Sequence, residues 1–156
     1  MKTDNNLLAN ENLNMQKIVK CNKADYTTLS AIWERSVRAT HDFLNEDTIT
    51  EIKAALVPTY FPNVELYAVS HNGYLTGFIG LSDDMIEMLF IDSDSRGQGY
   101  GSSLIEFAID HGATKVDVNE QNPLALAFYQ AKGFKIIGRD ATDDAGRPYP
   151  ILHLSL

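Results

Sequence analysis

The sequence predicts a single α/β domain, with a mixed central sheet of about seven strands and four helices. Three observations carry this expectation. Strand-like and helix-like stretches follow one another as β-α-α-β-β-β-α-β-α-β-β, with no internal repeat and no linker. Two β-rich runs flank Asn72-Gly73, the dipeptide favoured in a tight antiparallel hairpin. A nearly continuous apolar run at 85–91 leads through a glycine-rich turn and a helix into a further strand at 114–119, the order of a parallel crossover.

The elements can be justified in turn. "QKIVKC" (16–21) reads as a short strand. In "ADYTTLSAIWERSVRAT" (24–40), Leu29, Ile32, Trp33 and Val37 recur at helical spacing, so Trp33 is expected to pack in the core. "NEDTITEIKAAL" (45–56) opens on Asn45, a good N-cap, and its helix is expected to stop before Pro58. "VELYAVS" and "YLTGFIGLS" are the hairpin strands. "MIEMLFI" (85–91) is apolar apart from Glu87 and reads as a strand buried on both faces. Leu104, Ile105, Ala108 and Ile109 mark one side of the helix after the glycines, and "TKVDVN" (114–119) is a strand. "NPLALAFYQAKG" (122–133) is a helix with Pro123 near its start and Gly133 as its stop. Leu124, Phe128 and Ala131 fall at i, i+4 and i+7 as its expected buried stripe, and Tyr129, turned about 100° from Phe128, lies at the stripe's edge. "FKIIGRD" and "YPILHLSL" are two last strands around the turn "DDAGRP".

Composition narrows the function classes. The net charge of −8 argues against a basic nucleic-acid footprint. The single cysteine, Cys21, excludes an intramolecular disulfide and leaves no cysteine zinc cluster, and no metal site is expected. Cys21 ends the first strand and reads as structural. No apolar run approaches the ~18 residues of a membrane span. The first 14 residues, "MKTDNNLLANENLN", are polar and asparagine-rich, unlike a signal peptide. They are expected to be a disordered tail ahead of one domain at 15–156, with Met15 as a possible internal start. The expectation is a cytoplasmic monomer or homodimer with no membrane partner.

The most informative stretch is "DSDSRGQGYGSSLIEF" (92–107). Gly97, Gly99 and Gly101 sit at alternate positions between a strand and a helix, with Arg96 beside them. A helix N-terminus carries about half a positive charge and unpaired N–H groups. Glycines let that backbone approach a ligand closely. Together they suit a phosphate or pyrophosphate. A plain connecting turn would need only one glycine. The P-loop pattern fails, because no lysine follows. The dinucleotide pattern matches at Gly97 and Gly99 but meets Ser102 at its third glycine, with Asp117 about 20 residues on. A nucleotide-binding regulator therefore stays open at this point.

"RGQGYG" (96–101) resembles the R/Q-x-x-G-x-G/A signature of the GNAT superfamily of acetyl-CoA-dependent N-acetyltransferases. It follows "LFIDSDS", which is similar to the end of that family's fourth strand. "VNEQNPLALAFYQAKGF" (118–134) resembles the family's second motif, an Asn, a short helix with Phe-Tyr, then Gly-Phe. The resemblance covers roughly 15–156. One departure is Ser93, where the family often has Pro. "SVRATHDFL" (36–44) looks, more loosely, like the acceptor side of small bacterial members.

The resemblance implies a GNAT fold whose sheet splays between strands 85–91 and 114–119. It also implies a set of roles. Backbone groups of Leu89, Phe90 and Ile91 would pair with the pantetheine arm of acetyl-CoA. Arg96 and the N–H groups of Gly97, Gln98, Gly99, Tyr100, Gly101 and Ser102 would hold the pyrophosphate. Asn122 would bond the pantetheine side, and Tyr129 would stand near the thioester sulfur.

Chemistry adds its own requirements. An amine with a pKa of about 10 must lose a proton before it attacks, and a thiol leaving group with a pKa of about 8.5 must be stabilised. A donor to the developing oxyanion helps. For the base, Glu87 interrupts an apolar strand, and a buried carboxylate would have a raised pKa; the alternative is an edge-facing Glu in water. His41, with Asp42, is the second candidate, or else an ordinary turn residue. His71 is expected to be solvated, His111 to end a helix, and His153 to face out or line the slot. Tyr60 and Phe61 either wall an acceptor pocket or cover the core. The function expected is direct acetyl transfer from acetyl-CoA to an amine: a small molecule, a protein N-terminus or a lysine. The alternative is an acetyl-CoA-binding sensor without turnover.

Overall fold

The computed structural model describes residues 16–156. The expected tail at 1–14 and the possible start at Met15 lie outside the described residues. Seven strands form one sheet in the order β1-β2-β3-β4-β5-β7-β6. They are β1 (Gln16–Lys20), β2 (Glu65–His71), β3 (Tyr74–Ser82), β4 (Met85–Ile91), β5 (Lys115–Asn119), β6 (Lys135–Asp140) and β7 (Ile151–Ser155). The four helices are α1 (Tyr26–Thr40), α2 (Glu46–Ala55), α3 (Tyr100–Asp110) and α4 (Pro123–Ala131).

Local chemistry explains the boundaries. Asn45 accepts from the Thr48 N–H at 2.8 Å and starts α2. The α-helix ends at Ala55, before Pro58 as expected, but the chain does not leave helical form there. It runs on through a π-helical segment, Leu56–Tyr60, in which the Phe61 N–H reaches back to the Leu56 carbonyl. Pro58 has no N–H for an ordinary turn, and the wider turn absorbs that loss. Leu56 and Phe61 are thereby driven into the core, while Tyr60 stays exposed. The hairpin turns at Asn72 (φ 53°) and Gly73 (φ 83°), the two left-handed residues of a type I′ turn.

Two apolar clusters hold the sheet. On one face α1 and α2 bring Leu29, Ile32, Trp33, Val37 and Ile49 onto Leu66, Ala68 and Phe78. On the other face α3 and α4 pack Leu104, Ile105, Ala108 and Tyr129 against Ile79, Val116, Val118 and Leu152. The first cluster draws no residue from β5, β6 or β7, so that side of the half-sheet carries no helix among the described residues. Cys21 is buried in the first cluster, and burial raises its pKa to about 11, the behaviour of an inert structural thiol.

β4 differs from expectation in an informative way. Only Ile86 is fully buried; Met85 and the run Met88–Ile91 are partly exposed. The cause is the pairing. β4 runs antiparallel to β3 along its length, but parallel β5 joins it only at Met85↔Lys115 and Ile86↔Val116. Beyond Ile86 the two strands separate, and the apolar residues of β4 face a slot. None of the described helices is long and apolar enough to cross a membrane.

Candidate active site

A cavity of about 480 Å³ occupies the divergence of β4 and β5 and continues over the glycine turn. Leu89, Phe90 and Ile91 form its floor, and on their β5 side the β4 backbone has no strand partner. Arg96, Gly97, Gly99, Tyr100, Gly101 and Ser102 form one end. Of the residues expected there, Gln98 does not line the cavity, and the Tyr100 side chain turns into the core, its hydroxyl 3.5 Å from Gln98 Oε1.

The turn fits an extended, phosphate-bearing ligand. Gly97 (φ 76°) and Gly99 (φ 83°) hold left-handed conformations that other residues adopt at a cost. No side chain caps α3, so its first-turn N–H groups stay open. Gly101 serves a different purpose: a Cβ there would sit 3.4 Å from Phe128, so glycine lets α4 approach α3. One anchor escaped the sequence reading. Arg35 on α1 grips Asp92, at the foot of the turn, through two bonds of 2.9 and 2.7 Å. The pair spans 57 residues, which no local pattern reveals.

A second cavity of about 130 Å³ adjoins the first, sharing His41, Asn122 and Tyr129 with it, and adds Glu87 and Asp117. Glu87 is exposed, not buried as expected. Gly80 pairs with Met88 and Leu81 with Ile86, so Glu87 is the extra residue of a β-bulge, turned into the slot. Its pKa is nonetheless raised, first by partial desolvation and then by repulsion from Asp117 and Asp144.

Tyr129 also corrects an expectation. It is only 6% exposed and is the buried residue of α4, whereas Leu124, assigned to the buried stripe, is 70% exposed. The helix is rotated so that Tyr129 packs edge-on against Phe134 and Phe128. Tyr129 lines both cavities, and its hydroxyl has no hydrogen-bond partner among the described residues. Burial raises the phenol pKa, so the group is a proton donor at neutral pH.

His41 has a defined tautomer. The Thr40 hydroxyl donates to the Ser36 carbonyl (2.8 Å) and so accepts from His41 Nδ1 (2.7 Å). Asn122 Oδ1 accepts from the Ala125 N–H at 3.2 Å, capping α4, which turns Asn122 Nδ2 toward His41 Nε2 at 3.4 Å. His41 is therefore neutral, with its Nε2 lone pair turned to Asn122 and its side chain lining both cavities. Burial lowers its pKa against the pull of Asp42.

The remaining histidines lie elsewhere. His71 is not solvated as expected: its Nδ1 is buried without a partner. His111 caps α3 and bonds the Phe107 carbonyl through Nδ1 at 2.8 Å. His153 stands on the open half-sheet face between two aspartates. Trp33 packs in the core as expected, and neither Tyr60 nor Phe61 lines either cavity.

A splayed parallel pair beside an uncapped, glycine-led helix N-terminus fits a class of acetyltransferases that take the acetyl group from acetyl-CoA and give it to an amine, and the relatives of this chain place it in that class. The Acetyltransferase (GNAT) domain matches residues 29–148, and the chain belongs to that family. It is 46% identical over 129 residues to the peptidyl-lysine N-acetyltransferase YjaB of Salmonella typhimurium, covering 81% of this chain and 88% of that protein. The solution structure of apo-form YjaB from Escherichia coli superposes with a TM-score of 0.83 at 39% identity, covering 90% of this chain and 96% of that one. The PaiA N-acetyltransferase of Thermoplasma acidophilum, crystallised in complex with coenzyme A, shares the fold with a TM-score of 0.68 at 18% identity, covering 90% of this chain and 99% of that one.

Proposed function

We propose that the protein acetylates lysine side chains of other proteins by direct transfer from acetyl-CoA within a ternary complex. The carrying observation is that Tyr129, whose hydroxyl has no partner among the described residues, Glu87 and a neutral His41 line one small cavity where β4 and β5 part. The lysine acceptor rests on the names of the related YjaB proteins and on the slot's charge. Glu87 and Asp117 line its acceptor mouth, which suits an arriving ammonium group.

The residues divide the work. Unpaired N–H and C=O groups of β4 beyond Ile86 hold the pantetheine arm as a strand would, and the turn at 97–102 with Arg96 holds the pyrophosphate. Glu87 takes the proton from the lysine ammonium, and its raised pKa matches that task better than an ordinary carboxylate. The freed amine forms the new C–N bond as the C–S bond breaks. Tyr129 donates its proton to the departing sulfur, a bond that strengthens as charge develops there, and the second proton shed by the new amide nitrogen restores the phenol. Asn122 holds the pantetheine side and fixes His41, whose Nε2 is the competing proton acceptor. The activity is assigned to the cytoplasm and needs no metal.

The test is a thiol-release assay with acetyl-CoA against three acceptors: lysine peptides with a blocked N-terminus, lysine-free peptides with a free N-terminus, and polyamines. Mass spectrometry then locates the acetyl group. Lysine-only acetylation supports the proposal, and turnover confined to either of the others overturns it. Glu87→Gln and His41→Gln pH profiles identify the base, since the true base carries the acidic limb with it.

A further inference from the structure

The half-sheet of β5, β7 and β6 leaves one face without a helix, and a row of ionisable side chains crosses it. Glu87 of β4 and Asp117 of β5 share the small cavity. Asp117 pairs in register with His153 of β7. Val116, Val118, Leu152 and Leu154 point into the core, so Asp117 and His153 point to the opposite face. His153 Nδ1 lies 2.6 Å from Asp117 Oδ1, and its Nε2 lies 2.7 Å from Asp140 Oδ2 on β6. Carboxylates only accept hydrogen bonds, so both ring nitrogens must donate, and only the imidazolium can do that. His153 is a held positive charge, with its pKa raised by the bonds to Asp117 and Asp140.

We propose that His153 is a positioning residue that governs the ionisation of Glu87, acting through Asp117. The imidazolium offsets part of the Asp117 charge that Glu87 faces. Without His153, Asp117 repels the Glu87 carboxylate more strongly, and Glu87 holds its proton to higher pH. Without Asp117 only the repulsion from Asp144 is left, and Glu87 ionises at lower pH. Two bonded neighbours thus push in opposite directions.

The surrounding charges leave this role to His153. Glu87 faces Asp117 from β5, Asp144 from the β6–β7 loop and neutral His41 from the end of α1. The nearby cations are committed: Lys115 to Asp84, Arg139 to Glu120, and Arg147 to Asp143 and Glu51.

The inference takes Glu87 as the proton acceptor in transfer, but its first test does not need catalysis. In the full chain labelled with carboxyl-¹³C glutamate, the Glu87 signal, assigned by its loss in Glu87→Gln, is titrated in the parent, His153→Gln, Asp117→Asn and the double variant. His153→Gln is expected to move the Glu87 midpoint up by about half a pH unit, and Asp117→Asn to move it down by a similar amount. With Asp117 already replaced, His153→Gln should add a smaller shift, because only Asp140 then holds the imidazolium in the row. High salt should shrink both shifts, because the row is partly exposed. Midpoints that stay at the parental value in both single variants overturn the proposal, as does a His153→Gln shift of undiminished size without Asp117. The acidic limb of the kcat/KM profile is measured alongside. If Glu87 titrates as stated and the limb does not follow, the assignment of Glu87 as base fails while the action of His153 on Glu87 stands.

Discussion

Asn122 Nδ2 stands 3.4 Å from His41 Nε2, while Thr40 holds the other ring nitrogen at 2.7 Å, so one histidine is fixed neutral from both sides. This has a consequence for stability. The folded state disfavours protonated His41, whose pKa is lowered by burial. Above pH ~6.5 the ring is neutral in both states and exerts no pH effect. As pH falls below that value the unfolded chain takes up a proton that the folded chain resists, so stability declines. His153 behaves oppositely, because its raised pKa favours protonation in the folded state. Its contribution is complete below pH ~6.5 and is lost as pH rises through the folded value. Melting temperature against pH should therefore fall less on the acid side in His41→Gln and less on the neutral side in His153→Gln. Parallel curves for the parent and both variants would refute the assignment.

Arg35 and Asp92 set up a separate expectation. Their two-bond pair ties α1 to the foot of the glycine turn. Arg35→Ala frees the turn and leaves an uncompensated carboxylate near the proposed pyrophosphate site. The KM for acetyl-CoA should rise about tenfold, equivalent to ~1.4 kcal/mol, with kcat little changed. Arg35→Ala combined with Asp92→Asn should recover part of the loss, since the repelling charge is gone. Calorimetric titration with CoA reads both variants, and unchanged affinity in Arg35→Ala would show that the pair is only a surface contact.

The order of all seven strands and four helices was legible, because capping residues, the Asn-Gly turn and apolar spacing are local signals. So was the glycine turn. What escaped depends on partners distant in sequence. An apolar strand lining a slot looks the same in sequence as one buried in a core, so the partial exposure of β4 was missed. Glu87 looked buried for the same reason; a bulge set by its pairing with β3 turns it outward. Asp117 was weighed only as a ribose ligand, yet its alternation with Val116 and Val118 already placed it on the face opposite the core. Tyr129 was put at the edge of its helix stripe because Leu124 was counted as core. That helix packs against Phe134 and the slot, and no helical period reveals such a rotation.

Gly99 separates backbone strain from charge. No atom lies within 4 Å of a Cβ built there, but φ is +83°. Gly99→Ala should cost about 1 kcal/mol and lower the melting temperature by roughly 2–4 °C, with the stabilisation by acetyl-CoA retained. Gly99→Glu adds a negative charge at the uncapped N-terminus of α3 and should abolish that ligand-induced shift. Thermal melts with and without acetyl-CoA decide it. A Glu variant that still gains stability from the ligand would move the pyrophosphate site elsewhere.

Tyr129→Phe is the sharpest prediction, because structure and chemistry point in opposite directions. Removing a buried tyrosine hydroxyl ordinarily breaks a hydrogen bond and costs about 1 kcal/mol. Here the hydroxyl has no partner among the described residues, and the ring is held by Phe128 and Phe134 at centroid distances of 5.3 and 5.7 Å. A phenylalanine keeps those contacts and leaves no orphaned group, so the melting temperature should hold or rise slightly. Acetyl-CoA affinity should also hold, since the hydroxyl's proposed partner is the sulfur as it becomes a thiolate. Activity should not: kcat and kcat/KM should fall together by roughly 10- to 10³-fold, the range for a proton donor used only in the transition state. Tyr129→Ala is the control for packing and should destabilise by about 3–5 kcal/mol. Steady-state thiol release, a CoA titration and a thermal melt on the same preparations separate the outcomes. Parental kcat in Tyr129→Phe would remove the hydroxyl from the chemistry, and lost affinity with intact kcat would make the ring a wall of the cofactor site.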